Sequence, residues 1–532
     1  MRSVLVFFLL ILAVNELSAQ SYFDDGLSKE WHKERRAALR EKMPSNSMAT
    51  FFNNPTKNRS NDVDFIYHPN TDFFYLTGLR EPSSALVIFS EARDFGAFKA
   101  DEIIYVQNRD PRAEMWNGKR LGVEGVKEEL GFEQVFLNSE FGKVPVLQDS
   151  GFDKILTFSL AEGIEESSAN AALISMISDF KNKVNYPEDR PEVNGEIYEL
   201  IRATDMENSA NVAQIIGRYR QRYPEIGEDK TLVDFLEADS PEERMKIKES
   251  ISAQKVDLTA LSQIMDVLRE LKTPEEQDFL RKAATISAIG QIEVMKAAKV
   301  GMSEREVQGV HEFIYKRYGA EGIGYPSIVG AGNNGCILHY IENDLRNVNE
   351  SLLLMDLGAE WRGYTADVTR TIPIKGTFNE EERAIYELVL KSQEAGIEQC
   401  KEGVEFSEIN RAATDIINKG LMDLGIIEEG QTHNYLPHGT SHHLGLDVHD
   451  RGTYGVLKNG MVLTVEPGIY IPDGSDCDPK WWGIGVRIED DILLTENGPV
   501  NLSGDAPRTV EAIEQMMRVP SVLENWVLPE IK

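Results

Sequence analysis

Leu352-Leu353-Leu354-Met355 is an apolar run that ends in a carboxylate, Asp356, and eleven positions later Asp367 lies within Tyr364-Thr365-Ala366-Asp367-Val368-Thr369-Arg370. Gly358 and Gly363 stand between them, so a hairpin can bring the two acids together. Two desolvated carboxylates held side by side repel, and a cation between them is the simplest relief. Taken alone, the pair is weak evidence, since strand-end Asp residues more often cap turns than bind metal.

Further along, four of the nine histidines, His438, His442, His443 and His449, fall within twelve residues. His438 and His442 have the four-residue offset of a helical zinc-protease motif, but Gly439 and Gly445 disfavour a helix and no Glu follows His438, so that reading fails. A proton relay or a pH-responsive patch stays open for such a cluster. Downstream, Thr464-Val465-Glu466-Pro467-Gly468 delivers an acid at a turn, and Gly485-Val486-Arg487-Ile488-Glu489-Asp490 is expected to put Arg487 and Glu489 on one strand face. Glu489 by itself would be explained by an ion pair with Arg487. Together, Asp356, Asp367, His442, Glu466 and Glu489 make a donor set rich in hard oxygen and free of thiolate, suited to two Mn-like or Co-like ions.

These residues need a large scaffold, and 532 residues with 41% hydrophobic content supply one, enough for two domains or two domains with an insertion. A net charge of -32 excludes a phosphate-backbone partner, because nucleic-acid binding rests on clustered Lys and Arg. Cys336, Cys400 and Cys477 are too few and scattered for a disulfide framework and are expected to be small buried thiols. Met1-Arg2-Ser3, the apolar run from Val4 to Val14 and Leu17-Ser18-Ala19 have the order of a secretory signal, with cleavage expected after Ala19. The run is shorter than the ~20 residues that span a bilayer. The expectation is therefore a protein exported to a periplasmic or extracellular space, with no membrane association after signal removal.

Residues 20–180 mix helical stretches with strand runs such as Ala85-Leu86-Val87-Ile88-Phe89, an α/β pattern. Residues 181–257 shift to charged, helix-favouring composition and form a helical insertion or connector. From 258 to 532 a third segment holds the chemistry. Its order is helix, helix, strands, opened by Thr273-Pro274-Glu275-Glu276 and by the capping box Ser303-Glu304-Arg305-Glu306. Asn379 with Glu382, and then Ser407, are expected to open a second pair of helices, again followed by strands. Lys299-Val300-Gly301 also resembles Lys401-Glu402-Gly403, so the segment reads as an internal duplication whose halves face each other across a cleft.

The five ligand candidates, in this order and with these local contexts, resemble the creatinase-like or pita-bread metallopeptidases, the family of methionine aminopeptidase, prolidase and aminopeptidase P. The likeness extends to the N-terminal domain, where Asn70-Thr71-Asp72-Phe73-Phe74-Tyr75-Leu76-Thr77-Gly78-Leu79 and Ala113-Glu114-Met115-Trp116-Asn117-Gly118 look like the aminopeptidase P branch. The segment 181–257 departs from that pattern. The resemblance implies an α/β fold with a creatinase-like N-terminal domain followed by a pita-bread catalytic domain. It implies two divalent ions per subunit, Mn with Co or Zn as alternatives, with Asp367 and Glu489 bridging both, Asp356 on one, and His442 with Glu466 on the other. His443 is left as a neighbour pointing away. It implies Glu466 as proton carrier, His339 and His449 as substrate-side donors, His438 in a proline pocket, and Arg487 orienting Glu489 or a relay acid. The activity implied is hydrolysis of the N-terminal Xaa-Pro bond of short proline-containing peptides through a metal-bridged hydroxide, by a homo-oligomer. Prolidase, which shares every ligand, and a non-catalytic peptide-binding module are the alternatives.

Overall fold

The computed structural model describes residues 26–143, 151–187, 194–252, 254–349 and 351–524. The expected signal segment 1–19 lies outside them. The chain divides into two compact units, Met1–Leu261 and Ser262–Lys532.

The first unit is built on a six-stranded mixed sheet in the order Val135–Leu137, Lys99–Val106, Ala85–Asp94, Ser47–Phe52, Lys154–Thr157, Val256–Asp257. The apolar runs noted in the sequence fill its centre: Leu86, Val87, Ile88, Ile103 and Ile104 are fully buried. A strand that is apolar on both sides needs cover on both faces. Helices Lys29–Lys42, Thr71–Thr77, Gly122–Leu130 and Ala171–Val184 accompany the sheet. Asn70 caps the second of these by accepting from Phe73 N at 2.9 Å, and Gly78 ends it in the left-handed region at φ 72°. Asn194–Ala203, Ser209–Arg222, Lys230–Glu237 and Pro241–Ser252 form a cluster of four helices with a core of its own around Ile201, Ile216, Leu232 and Phe235.

The second unit repeats its own plan. Helices Pro274–Ala297 and Glu304–Arg317 precede an antiparallel sheet ordered Ile328–Ala331, Leu352–Asp356, Thr369–Pro373. Helices Glu380–Ile397 and Ser407–Asp423 precede a sheet ordered Val462–Val465, Asp490–Thr495, Gly498–Asn501, with Gly468–Ile471 paired to Ile484–Arg487 beside it. Three of the four helix starts are capping boxes, at Thr273 with Glu276, Ser303 with Glu306, and Asn379 with Glu382. Ser407 is not a cap. Glu405 is already bridged to Val456, and Phe406 enters in helical geometry with its N–H on Gly455 O, so the helix begins without a side-chain cap.

The two halves of this unit are stitched together by Glu489 N on Thr369 O (3.1 Å) and by Arg370. The guanidinium of Arg370 donates to Glu489 O, Asp490 Oδ1 and Ala506 O, and the Arg370–Asp490 pair is fully buried. Fully buried charge is tolerated here because each guanidinium hydrogen faces an acceptor. Among the described residues no helix is long and apolar enough to cross a membrane. All three cysteines are free thiols, but only Cys400 is buried; Cys336 and Cys477 are partly exposed.

Candidate metal centre

Asp356 is the last residue of strand Leu352–Asp356 and is paired with Thr369 of the neighbouring strand. Between them the chain runs out into the small hairpin Ala359–Trp361 to Tyr364–Thr365, turned by Arg362 (φ 53°) and Gly363 (φ 89°), two consecutive left-handed residues as a type I′ turn requires. Gly358 is needed for close approach: a Cβ there would sit 1.9 Å from Ala366 O and 2.6 Å from the Tyr325 ring. The returning chain places Asp367 beside Asp356.

Both acids meet the hydroxyl of Tyr325, at 2.5 Å from Asp356 Oδ1 and 2.6 Å from Asp367 Oδ1. A phenol has one proton to donate, so one of these contacts calls for a protonated carboxyl. Burial and the charge of Asp367 push Asp356 upward. Burial also opposes ionisation of Asp367, but His442 and Tyr325 outweigh it and hold Asp367 low. Asp356 is therefore the member of the pair that holds a proton most readily.

From the second half, His442 lies in the loop before strand Val462–Val465, with its Nε2 3.6 Å from Asp367 Oδ2 and 3.4 Å from Glu466 Oε1. Its Nδ1 is 3.0 Å from the carbonyl of His443, which fixes Nδ1 as the donor and leaves Nε2 facing the acids. Burial alone would lower His442, yet Asp367 and Glu466 raise it to about 9. Glu466 directly follows strand Val462–Val465; burial, with the charges of Asp367 and Asp356, pushes it up to about 7 against the pull of His442. Glu489 precedes strand Asp490–Thr495 and accepts from Thr369 Oγ1 at 2.6 Å; burial and the three other acids raise it well above the ordinary value.

Four buried or nearly buried acids thus share a small volume with Arg487 and His442 as the cations facing them. Donor atoms of Asp367, His442 and Glu489 lie within 4.8 Å of one another. A hard-oxygen set with one imidazole, short of positive charge, fits divalent cations such as Mn, Co or Zn. Asp356 and Glu466 flank the triad from opposite halves.

The remaining candidates fall around this cluster. Arg487 ends strand Ile484–Arg487, and Ile488 N still bonds Pro467 O across the ladder. Arg487 and Glu489 meet at the Thr369 hydroxyl, which accepts from Arg487 Nε at 3.2 Å and donates to Glu489 at 2.6 Å. The Arg487 guanidinium also donates to Asp356 Oδ2 at 2.7 Å and to the Tyr470 hydroxyl at 3.0 Å. His438 is 2.8 Å from the same hydroxyl and 3.8 Å from Glu466 Oε2, and burial lowers it to about 4. His449 stacks on His442 with ring centroids 3.9 Å apart. His339 is exposed, in the loop between strands Ile328–Ala331 and Leu352–Asp356, near enough for its charge to disfavour protonation of both His438 and His449. His443 turns away, its Nε2 2.9 Å from Thr453 O. Tyr325, Thr369 and Tyr470 escaped the sequence reading. Each touches a ligand candidate or Arg487, but none carries a motif signal that separates it from an ordinary strand or turn residue.

Residues 278–496 match the model of metallopeptidase family M24, and residues 32–149 match that of the aminopeptidase P N-terminal domain. The chain is 32% identical to the Xaa-Pro aminopeptidase of Escherichia coli K12, over 92% of this chain and 98% of that protein. It is 29% identical to the human Xaa-Pro aminopeptidase 3, over 87% and 79%. Among solved structures, Escherichia coli aminopeptidase P with the inhibitor Pro-Leu superposes with a TM-score of 0.71 at 31% identity, covering 92% of this chain and 98% of that one. The aminopeptidase PepP of Pseudomonas aeruginosa gives 0.72 at 30%, with the same coverage.

Proposed function

Because the chain belongs to metallopeptidase family M24 and is a metallo-aminopeptidase of its pita-bread, Xaa-Pro-specific branch, we propose that it releases the first residue of short peptides whose second residue is proline, using two divalent ions. The observation that carries this is the convergence of Asp367, His442 and Glu489 donor atoms in a unit similar throughout to Xaa-Pro aminopeptidases. Asp367 and Glu489 would touch both ions, Asp356 one, and His442 with Glu466 the other, with Mn preferred to Co or Zn. Bound ions supply the Lewis acidity that activates water near neutral pH and polarises the scissile carbonyl.

The chain's own residues do the rest. Glu466, at the edge of the cluster and partly accessible, takes the proton from the attacking water and returns it to the leaving proline nitrogen. His339 and His449, both exposed, the second stacked on His442, donate to substrate carbonyls. His438, half-buried against Tyr470, lines the wall met by the proline ring. Arg487 neutralises and orients Asp356, holding it for the ion while Tyr470 ties that guanidinium toward His438. Export to a periplasmic or extracellular space is proposed on the charged, apolar and small-residue order of residues 1–19, and a homo-oligomer on the family resemblance.

The substrate assignment is tested by supplying Arg-Pro-Pro and an Xaa-Pro dipeptide at equal concentration to the Mn-loaded protein. Release of arginine from the tripeptide is expected. Cleavage of the dipeptide alone would move the enzyme to the prolidase branch, and binding of either peptide without cleavage would make it a peptide-binding module.

A further inference from the structure

Two fully buried glutamines occupy matching places in the two halves of the catalytic unit. Gln291, in helix Pro274–Ala297, donates from Nε2 to Val368 O at 2.7 Å and to Met355 O at 3.2 Å. Gln393, in helix Glu380–Ile397, donates from Nε2 to Asp490 Oδ2 at 2.9 Å and to Val465 O at 3.2 Å. Met355 precedes Asp356 and Val368 follows Asp367; Val465 precedes Glu466 and Asp490 follows Glu489. Each amide therefore grips the residue before the first acid of its half and the residue after the second. The two glutamines are separated by the same 102-residue offset that relates Lys299 to Lys401 and Gly301 to Gly403. Neither amide is hydrogen-bonded to a ligand candidate itself.

Burying a primary amide is costly unless its hydrogens are bonded, and an apolar side chain of similar volume would fill the same space without that cost. What the amide adds is geometry. Its two hydrogens leave one nitrogen in fixed directions, so the two acceptors they hold are kept at a set separation. In both halves those acceptors flank a pair of acids that repel each other, and the strand ladders alone leave Asp367 and Glu489 in irregular chain between strands.

We propose that Gln291 and Gln393 are paired positioning residues, one per half, that fix the spacing of Asp356 with Asp367 and of Glu466 with Glu489 for the ions. The proposal rests on the dinuclear-metal reading above. It is tested by titrating metal-stripped protein with Mn(II) in a calorimeter and by the electron paramagnetic resonance signal of adjacent Mn(II) ions. Ser392→Ala serves as the control: Ser392 is equally buried on the same helix, but its hydroxyl bonds Ala413 O of the neighbouring helix and no ligand-bearing segment.

Gln291→Met and Gln393→Met are each expected to weaken Mn(II) binding by about 10–100-fold, as loss of an outer-shell partner typically does, and to diminish the coupled-ion signal. Ser392→Ala should melt lower yet bind like the wild type. Met variants that only melt lower, with wild-type affinity and signal, overturn the proposal. Wild-type protein that takes up no Mn(II) overturns instead the metal reading beneath it. Should a Met variant fail to fold, Gln→Asn at the same site, which keeps the amide but withdraws it by one methylene, is titrated with the same two decisive outcomes.

Discussion

Glu304 offers a way to loosen the substrate side of the centre without touching a ligand. It is the first residue of helix Glu304–Arg317 and is fully buried, with Oε1 accepting from Ala331 N at 2.8 Å and Asn334 Nδ2 at 3.1 Å. Oε2 accepts from Leu345 N at 2.8 Å and lies 2.9 Å from the Tyr340 hydroxyl. One carboxylate thus ties down the loop on both sides of His339. In Glu304→Gln an NH2 group must replace one oxygen, so about two bonds are lost and donors are set against donors. At about 1–3 kcal/mol for each buried donor left unsatisfied, the variant should lose roughly 2–6 kcal/mol. For a unit of this size that lowers the melting temperature by roughly 5–20 °C. Below that temperature Mn(II) affinity should be unchanged, because no ligand is in the loop, while KM for Arg-Pro-Pro rises as His339 loses its fixed position. Calorimetry and steady-state kinetics on the same preparation read both effects. A folded Glu304→Gln with wild-type KM would refute the link from this carboxylate through the loop to substrate binding.

Two further outcomes follow from local chemistry. His32 is buried with Nδ1 2.9 Å from Tyr75 O, and burial lowers it to about 3. The folded form excludes a proton that the unfolded chain accepts below about 6.5, so its contribution is complete above that pH and is lost as pH falls toward 3. Urea denaturation should show the first unit losing about 2 kcal/mol between pH 7 and pH 5 from this group, and His32→Phe should flatten that part of the slope; an unchanged slope would contradict it. Gly358→Ala should disrupt the Asp356–Asp367 spacing, since its Cβ has backbone rather than a yielding side chain in the way. Mn(II) titration should show weakened binding together with a melting point lowered by several degrees, and wild-type binding would show that the hairpin can move aside.

The parts of this molecule that were legible in the sequence are those governed by local rules. The boxes at Thr273, Ser303 and Asn379 announce helix starts because cap and partner are three residues apart. The Asp356 to Asp367 interval, with glycines between, announces a hairpin. Ser407 does open its helix as expected, but without a side-chain cap, and the Glu405–Val456 bridge just before it joins residues about fifty apart that no local rule relates. Alternation brought Arg487 to Glu489, which it meets through Thr369 Oγ1, but the crossing of its guanidinium to Asp356 in the other half carried no local signal. Tyr325 and Thr369 act through such long-range contacts and no interval in the sequence marks them, whereas the two glutamines share the 102-residue offset of the duplication but what they hold is visible only in the structure.

In the proposed function Asp356, Asp367, His442, Glu466 and Glu489 hold ions on which peptide cleavage depends. Protein stripped of metal should leave Arg-Pro-Pro intact and recover arginine release when Mn, Co or Zn is returned, whereas Asp367→Ala, measured beside it and shown to be folded, should recover nothing with any of the three. Full cleavage by the stripped protein, or by Asp367→Ala, would contradict the account.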